Sequence, residues 1–175
     1  MLDVKRWIQA IGWNKNSDLF SLLSLLTDNW HQAFKNLYYY RISQSNFLIR
    51  TLTYVFSIVY RGRSSLIFQC ENIGSGFFIQ HGFSTIIAAK SIGENCWINQ
   101  QVTIGFKDAT SCPTIGNNVI INAGAKVIGS VTICDNVTVG ANAVVVKNVP
   151  ENCVVVGVPA YIVKKNGVKV KEQLV

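Results

Sequence analysis

The chain has 175 residues, 49% of them hydrophobic and 14% charged, the composition of a soluble globular protein of one or two domains with a real core. Sixteen Lys and Arg against nine Asp and Glu leave a net charge of +7, gathered at 35–63 and 164–171. That excess suits an anionic partner (a phosphate-bearing cofactor, an anionic membrane surface or nucleic acid) or a solvated basic surface. The longest apolar stretch, Phe47 to Tyr60, is too short for a bilayer span and carries Arg50, so no transmembrane segment is expected. The start lacks the charged-then-apolar order of a signal peptide. The five cysteines, Cys70, Cys96, Cys112, Cys134 and Cys153, have no metal-type spacing and suit a reducing compartment.

Residues 1–66 read as an amino-terminal α-helical region. Asn16, Ser17 and Asp18 are candidate caps before Leu19, Leu22, Leu23 and Leu26, whose spacing makes one apolar helix face. A second segment from about Ser45 to Tyr60 ends at Arg61-Gly62, a helix-stop signal. Its aromatics, with Tyr38-Tyr39-Tyr40, read first as helix-packing surface. The other reading is a helix lying on anionic lipid through Arg41, Arg50, Arg61 and Arg63.

A second region, 67–163, repeats every six residues. Positions 115, 121, 127, 133, 139 and 145 are Ile, Ile, Val, Ile, Val and Val, and four residues after each come Val119, Ala125, Val131, Val137, Ala143 and Val149. Ile92, Ile98 and Ile104 keep the same rule, with Cys96 and Val102 between them. Cys96 is therefore expected as a small buried apolar side chain. No α-helix or hairpin meander holds that spacing. A triangular coil does, with one hexapeptide per side and the aliphatic residue turned to the axis. The rhythm breaks twice: Ile79 to Ile92 is thirteen residues, and Ile104 to Ile115 is eleven, so that Phe106 to Thr114 leaves the coil as a loop. The first break contains His81, the second Cys112. Residues 164–175 read as a basic carboxy-terminal tail. His81 can act as a proton acceptor near neutral pH, or it can be an ordinary surface histidine on a corner. With only His31 and His81 in the chain, no metal site is expected.

Taken together, Ile73-Gly-Ser-Gly-Phe-Phe-Ile-Gln-His81, Ile92-Gly-Glu-Asn, Val102-Thr-Ile-Gly105, Pro113-Thr-Ile-Gly116, Asn122-Ala-Gly-Ala-Lys-Val-Ile-Gly129, Val139-Gly-Ala-Asn-Ala-Val-Val and Gly157-Val-Pro-Ala160 resemble the hexapeptide-repeat acyltransferases, in particular their serine acetyltransferase branch. The resemblance covers about residues 70–165. It implies a mainly β fold, a left-handed parallel β-helix with a short helical region before it. It also implies a homotrimer with acetyl-CoA in a groove between neighbouring β-helices, and His81 as the general base on an acceptor hydroxyl. The cofactor-contacting alanines of the family fall on Ala123 and Ala141, and Gly105 falls at the thioester end. Lys147, Lys164 and Lys165 suit the cofactor phosphates by charge and location. Gln80 and Cys112 fall where the family contacts its acceptor.

The chain departs from that branch at specific places. Gln80 stands where serine acetyltransferases have Asp, Ser111-Cys112 where they have Arg-His, and Leu66 where the acidic partner of the base is expected. Glu71 or a backbone carbonyl is left to orient His81. The loop and the helical region are shorter. Losing the groups that hold an amino acid's charges favours a sugar hydroxyl, and the pattern, with Phe34-Lys-Asn-Leu-Tyr-Tyr-Tyr-Arg41, looks more like the capsule and exopolysaccharide O-acetyltransferases. The reading is thus an acetyl-CoA-dependent O-acetyltransferase of surface polysaccharide synthesis. It would be cytoplasmic, peripheral at the inner membrane face, with no nucleic-acid partner. Serine O-acetylation is the alternative enzyme reading, and a non-catalytic β-helix scaffold or binding module the alternative from another class.

Overall fold

The computed structural model describes residues 1–174. Four helices open it: α1 (Leu2–Ala10), α2 (Leu19–Thr27), α3 (Gln32–Ser43) and α4 (Phe47–Val59). Asp18 caps α2, its carboxylate accepting the Ser21 N–H at 2.8 Å, and Asn46 caps α4 by accepting the Ile49 N–H at 3.2 Å. The face expected on α2 is only half right. Leu26 is buried with Ser21 and Leu25, but Leu19 and Leu23 are exposed. The helix is short, and only the side toward the rest of the molecule finds a partner.

The coil follows, and its strands stack on three faces. The first face holds β1 (Leu66–Phe68), β4 (Thr85–Ile87), β7 (Thr103–Gly105), β10 (Lys126–Ile128) and β13 (Val144–Val145). The second holds β2 (Asn72–Ile73), β5 (Ser91–Ile92), β8 (Thr114–Ile115) and β11 (Thr132–Ile133). On the third lie β3 (Phe78–Ile79), β6 (Trp97–Ile98), β9 (Ile120–Ile121), β12 (Thr138–Val139) and β14 (Cys153–Val156). All pairings within the coil are parallel. Register puts like on like: Ile79 on Ile98 on Ile121, and Ile92 on Ile115 on Ile133.

Every six-residue position named from the sequence is buried, none more than 6% exposed, and so is every residue named four places after one, from Cys96 and Val102 to Val149. Each such Ile or Val contributes about 1.5–3 kcal/mol on burial. The gain comes only from stacking, since one turn alone leaves its residues open above and below.

The turning residues explain the asparagines. Asn95, Asn118, Asn136 and Asn152 stand one above another between the second and third faces, all left-handed with φ of 56°, 55°, 59° and 57°. Asparagine tolerates that conformation better than other side-chain-bearing residues. Their amides also hydrogen bond along the column, Asn118 to Asn136 at 3.2 Å and Asn136 to Asn152 at 3.0 Å.

The coil begins earlier and ends differently than the repeat alone suggests. The boundary drawn between 66 and 67 falls inside β1, which pairs with β4. The residues read as a basic tail form a hairpin with the end of the preceding segment, β15 (Tyr161–Lys165) and β16 (Val168–Gln173), laid antiparallel on β14.

The helices close the first turn of the coil. Trp7 is buried, its indole N–H donating to the Phe77 carbonyl at 2.9 Å and its ring packed edge-on to Phe78 and Phe34. Asp3 accepts the Phe77 N–H at 3.1 Å and pairs with Arg41 at 3.0 Å, while Arg41 donates onward to the Gly74 carbonyl at 2.6 Å.

Candidate active site

The first rhythm break is a bulge at the corner between the third and first faces. From Ile98 to Ile104, and again from Ile121 to Val127, the chain takes six residues to pass this corner; from Ile79 to Ile87 it takes eight. The next corner, Ile87 to Ile92, takes five, so the net excess is one. At this corner a left-handed column runs through Ser84, Gln101, Gly124 and Asn142. It is tied by Gln101 N–H to the Phe83 carbonyl, Gly124 N–H to Gln100 and Asn142 N–H to Ala123, at 3.0, 3.0 and 2.9 Å. His81 and Gly82, with φ of 63° and 66°, come before that column and supply the added length. The bulge turns back on itself through Gly82 N–H to the Gln80 carbonyl at 2.8 Å.

Bulges re-aim side chains, and this one leaves the His81 imidazole exposed while its neighbours on either side are held. Gln80 is half-buried and its N–H continues the ladder to Ile98 at 2.9 Å. Gly82 is buried against the helices and the floor of the coil. A Cβ there would stand 3.0 Å from the Ala33 methyl, 3.1 Å from Ile79 and 3.3 Å from Leu66. Leu66, where an acidic partner is expected, is instead a buried wall of this corner. Glu71 lies between β1 and β2, at the corner between the first and second faces, and not at that of His81. Among the described residues no side-chain hydrogen bond holds the imidazole within a single chain.

Ala123 and Ala141 lie on the same corner as His81, in the turns after β9 and β12. Their small side chains leave that edge of the coil low. Gly105 ends β7 and is buried, yet a Cβ added to it would meet only ordinary contacts at 3.6 and 3.9 Å. Packing does not demand glycine there.

The second rhythm break is a loop from Phe106 to Pro113 between the first and second faces. Asp108 organises it by accepting the N–H groups of Thr110 and Ser111 at 3.1 and 3.0 Å. Cys112 is half-buried, and Phe106 is exposed at the loop's start. Within one chain, His81 and Cys112 therefore occupy different corners of the triangle.

The three lysines expected at cofactor phosphates do not share a place. Lys147 follows β13 and its ammonium donates to the Leu174 carbonyl at 3.0 Å. Lys164 and Lys165 lie on β15, opposite Val154 and Cys153, toward the asparagine corner; Lys165 pairs with Glu172 at 3.3 Å, and Lys164 is exposed. Sequence reasoning missed Lys126. Its ammonium reaches the Gln101 carbonyl at 2.6 Å, placing a cation on the corner between the turns of His81 and Ala123. The available signal was its register: it follows the inward Ala125 and so points outward at the start of β10.

Comparison with known proteins agrees with this architecture. The bacterial transferase hexapeptide (six repeats) family profile matches residues 112–147. A serine acetyltransferase of Synechococcus elongatus is 43% identical over 102 residues, which make up 56% of this chain and 42% of that protein. The crystal structure of Neisseria gonorrhoeae serine acetyltransferase is similar with a TM-score of 0.66 at 27% identity, covering 95% of this chain and 67% of that one. A serine acetyltransferase in complex with CoA shares the fold, with a TM-score of 0.65 at 24% identity over 93% of this chain and 67% of that one. The chain spans less than half the length of the curated relatives it matches. It is a parallel β-helix of hexapeptide repeats, with four helices before it among the described residues.

Proposed function

We propose that this chain is an O-acetyltransferase that takes acetyl from acetyl-CoA, with His81 as the general base on an acceptor hydroxyl. The observation that carries the reading is the bulge at His81. A regular coil is broken so as to present one exposed imidazole, on the corner where Ala123 and Ala141 leave room for an extended chain. The serine acetyltransferase relatives support both the donor and the class of reaction.

The chemistry asked of these residues is limited. His81 takes the proton of the attacking hydroxyl, the oxygen adds to the thioester carbonyl, and collapse expels the CoA thiolate. The proton returns from the imidazolium to that leaving sulfur. General-base assistance of this kind is worth about 10²–10⁴ in rate. Ala123, Ala141 and Gly105 would line the path of the pantetheine arm, with the exposed Lys164 as the freer cation for its phosphates and Lys126, tied to the Gln101 carbonyl, on the corner of the base.

A homotrimer fits the placement of the two rhythm breaks. A flat coil face offers no pocket, and one chain keeps its base and its protruding loop on different corners. A neighbouring copy in a cyclic assembly supplies the missing wall, with Gln80 from one chain and Cys112 from the next flanking the acceptor. The exposed Ile67 and Ile86, outward on the first face, suit such a contact.

Serine is the acceptor that the relatives favour. A sugar hydroxyl is the second reading, and one observation favours it: Gln80 and the Ser111-Cys112 pair offer no charge to an amino acid's ammonium or carboxylate. The test is CoA release from acetyl-CoA, with product mass, against L-serine and a panel of sugars, with His81→Ala as control. Transfer lost in that variant supports the base. Serine turnover raised by Cys112→His would place the acceptor contact at that loop. No transfer to any acceptor, with acetyl-CoA still bound, would favour a binding module instead.

A further inference from the structure

Helix α4 has a second face that nothing in the chain covers. Phe47, Leu48, Leu52, Val55, Ile58 and Val59 are 55–76% exposed. At 100° per residue they fall within an arc of about 140°, interrupted only by Thr51. The opposite side, with Phe56 half-buried and Tyr60 stacked on it, is turned to the molecule: Tyr39 of α3 reaches the Tyr60 carbonyl. Six large apolar side chains on one turned-out stripe exceed the scattered exposure normal for a surface helix.

The charges around this stripe select its occupant. From Asn29 to Cys70 there is no Asp or Glu, and there are five basic residues. Two of these are engaged or covered, since Arg41 pairs with Asp3 and Lys35 is buried. Arg50 and Arg61 are exposed, Arg50 at the lip of a groove of about 410 Å³ between α3 and α4, beside Tyr54. A second copy docking through this face would meet those arginines with no carboxylate from its own α3 or α4. An anionic lipid surface satisfies both features, taking the apolar stripe into its acyl boundary and the arginines at its phosphates. Tyr54, at the edge of the stripe, suits the headgroup level. At 13 residues, and with no helix among those described long and apolar enough to cross a membrane, α4 would lie along the surface.

We propose that α4 is a monotopic docking helix that holds the protein on an anionic bilayer. The proposal is independent of the acetyl-transfer reading. It is tested by flotation of the full chain with phosphatidylglycerol-containing vesicles and with pure phosphatidylcholine vesicles. Binding to the anionic vesicles, weakened by salt and absent on the neutral ones, is expected. Leu52→Glu/Val55→Glu should abolish it, Leu52→Trp should keep it, and Arg50→Gln and Arg61→Gln should each weaken it on the order of fivefold. Circular dichroism and melting of the variants keep misfolding apart from lost docking, because these side chains contact solvent. Absence of binding to anionic vesicles at low salt overturns the proposal, as does binding unchanged in the double glutamate variant. Light scattering that shows an assembly dissolved by Leu52→Glu/Val55→Glu also overturns it, because a second copy would then cover the face.

Discussion

A methyl group added to Gly82 would stand 3.0 Å from the Ala33 methyl. Helix α3 thus rests directly on the residue after His81, and the helical region sets the position of the imidazole as well as closing the coil. Gly82→Ala also forces a side chain into φ 66°. It should cost about 1–3 kcal/mol in chemical denaturation. With His81 as the proposed base, its displacement by about 1 Å would lower acetyl transfer on the order of 10²-fold. Adding Ala33→Gly should recover part of both losses. A purely local effect of Gly82 would leave the double variant no better than the single one.

The asparagine column separates two contributions at one residue. Asn136→Ala loses both ladder hydrogen bonds and strains a left-handed site, for about 1–3 kcal/mol by urea unfolding. Asn136→Gly loses the same bonds but adopts φ 59° without strain, and should cost clearly less. Equal losses would mean that backbone conformation contributes nothing there.

Asp135 ties adjacent turns at the same corner. Its carboxylate accepts the Asn117 backbone N–H at 2.8 Å and the Asn117 amide at 3.1 Å. The backbone donor first, then the amide, holds its pKa below the ordinary 3.8. A depressed folded-state pKa gives stability that is present above 3.8 and lost as pH falls through the folded value. The melting temperature of the native protein should therefore approach that of Asp135→Asn as pH drops below about 3.8. A constant gap between the two down to acid pH would contradict the assignment.

The thiols should divide by burial. Cys96 is fully buried, and desolvation pushes its pKa up to about 11; burial raises Cys153 as well. Ellman's reagent at neutral pH should titrate at most the half-buried Cys70, Cys112 and Cys134 in the folded protein, and all five cysteines after denaturation. Rapid reaction of Cys96 without unfolding would mean that the coil opens locally at that turn.

The core was legible because the coil imposes one spatial rule on the sequence. Each inward position recurs at a fixed interval, and only apolar residues satisfy it. The bulge at His81 was visible as an irregularity, but its size was hidden. Ile86 and Ile87 are adjacent, and either satisfies the pattern, so two added residues at one corner and one fewer at the next read as a single extra residue. The structure settles the inward role on Ile87 and makes Thr85 a buried polar residue, its hydroxyl bonded to the Phe83 carbonyl at 3.1 Å. The lysines were beyond reach for another reason. Charge is read from composition, but which corner a lysine occupies depends on strand register and on the hairpin at 161–173, which lies outside the repeat.

The close of the chain has a consequence for the molecule as a material. A stack of parallel turns ends in three raw strand edges, and identical raw edges invite end-to-end growth into fibres. Here each edge is taken. Val149 bridges to Ile133 on the second face, Gly157 and Ala160 bond to Val144 on the first, and on the third the antiparallel β15–β16 hairpin interrupts the parallel register with a lysine-rich border. Deleting the segment from Gly157 onward would thus do more than shorten the protein: it would bare strand edges at which two copies can pair, while the helices on the first turn keep the other end closed to further growth.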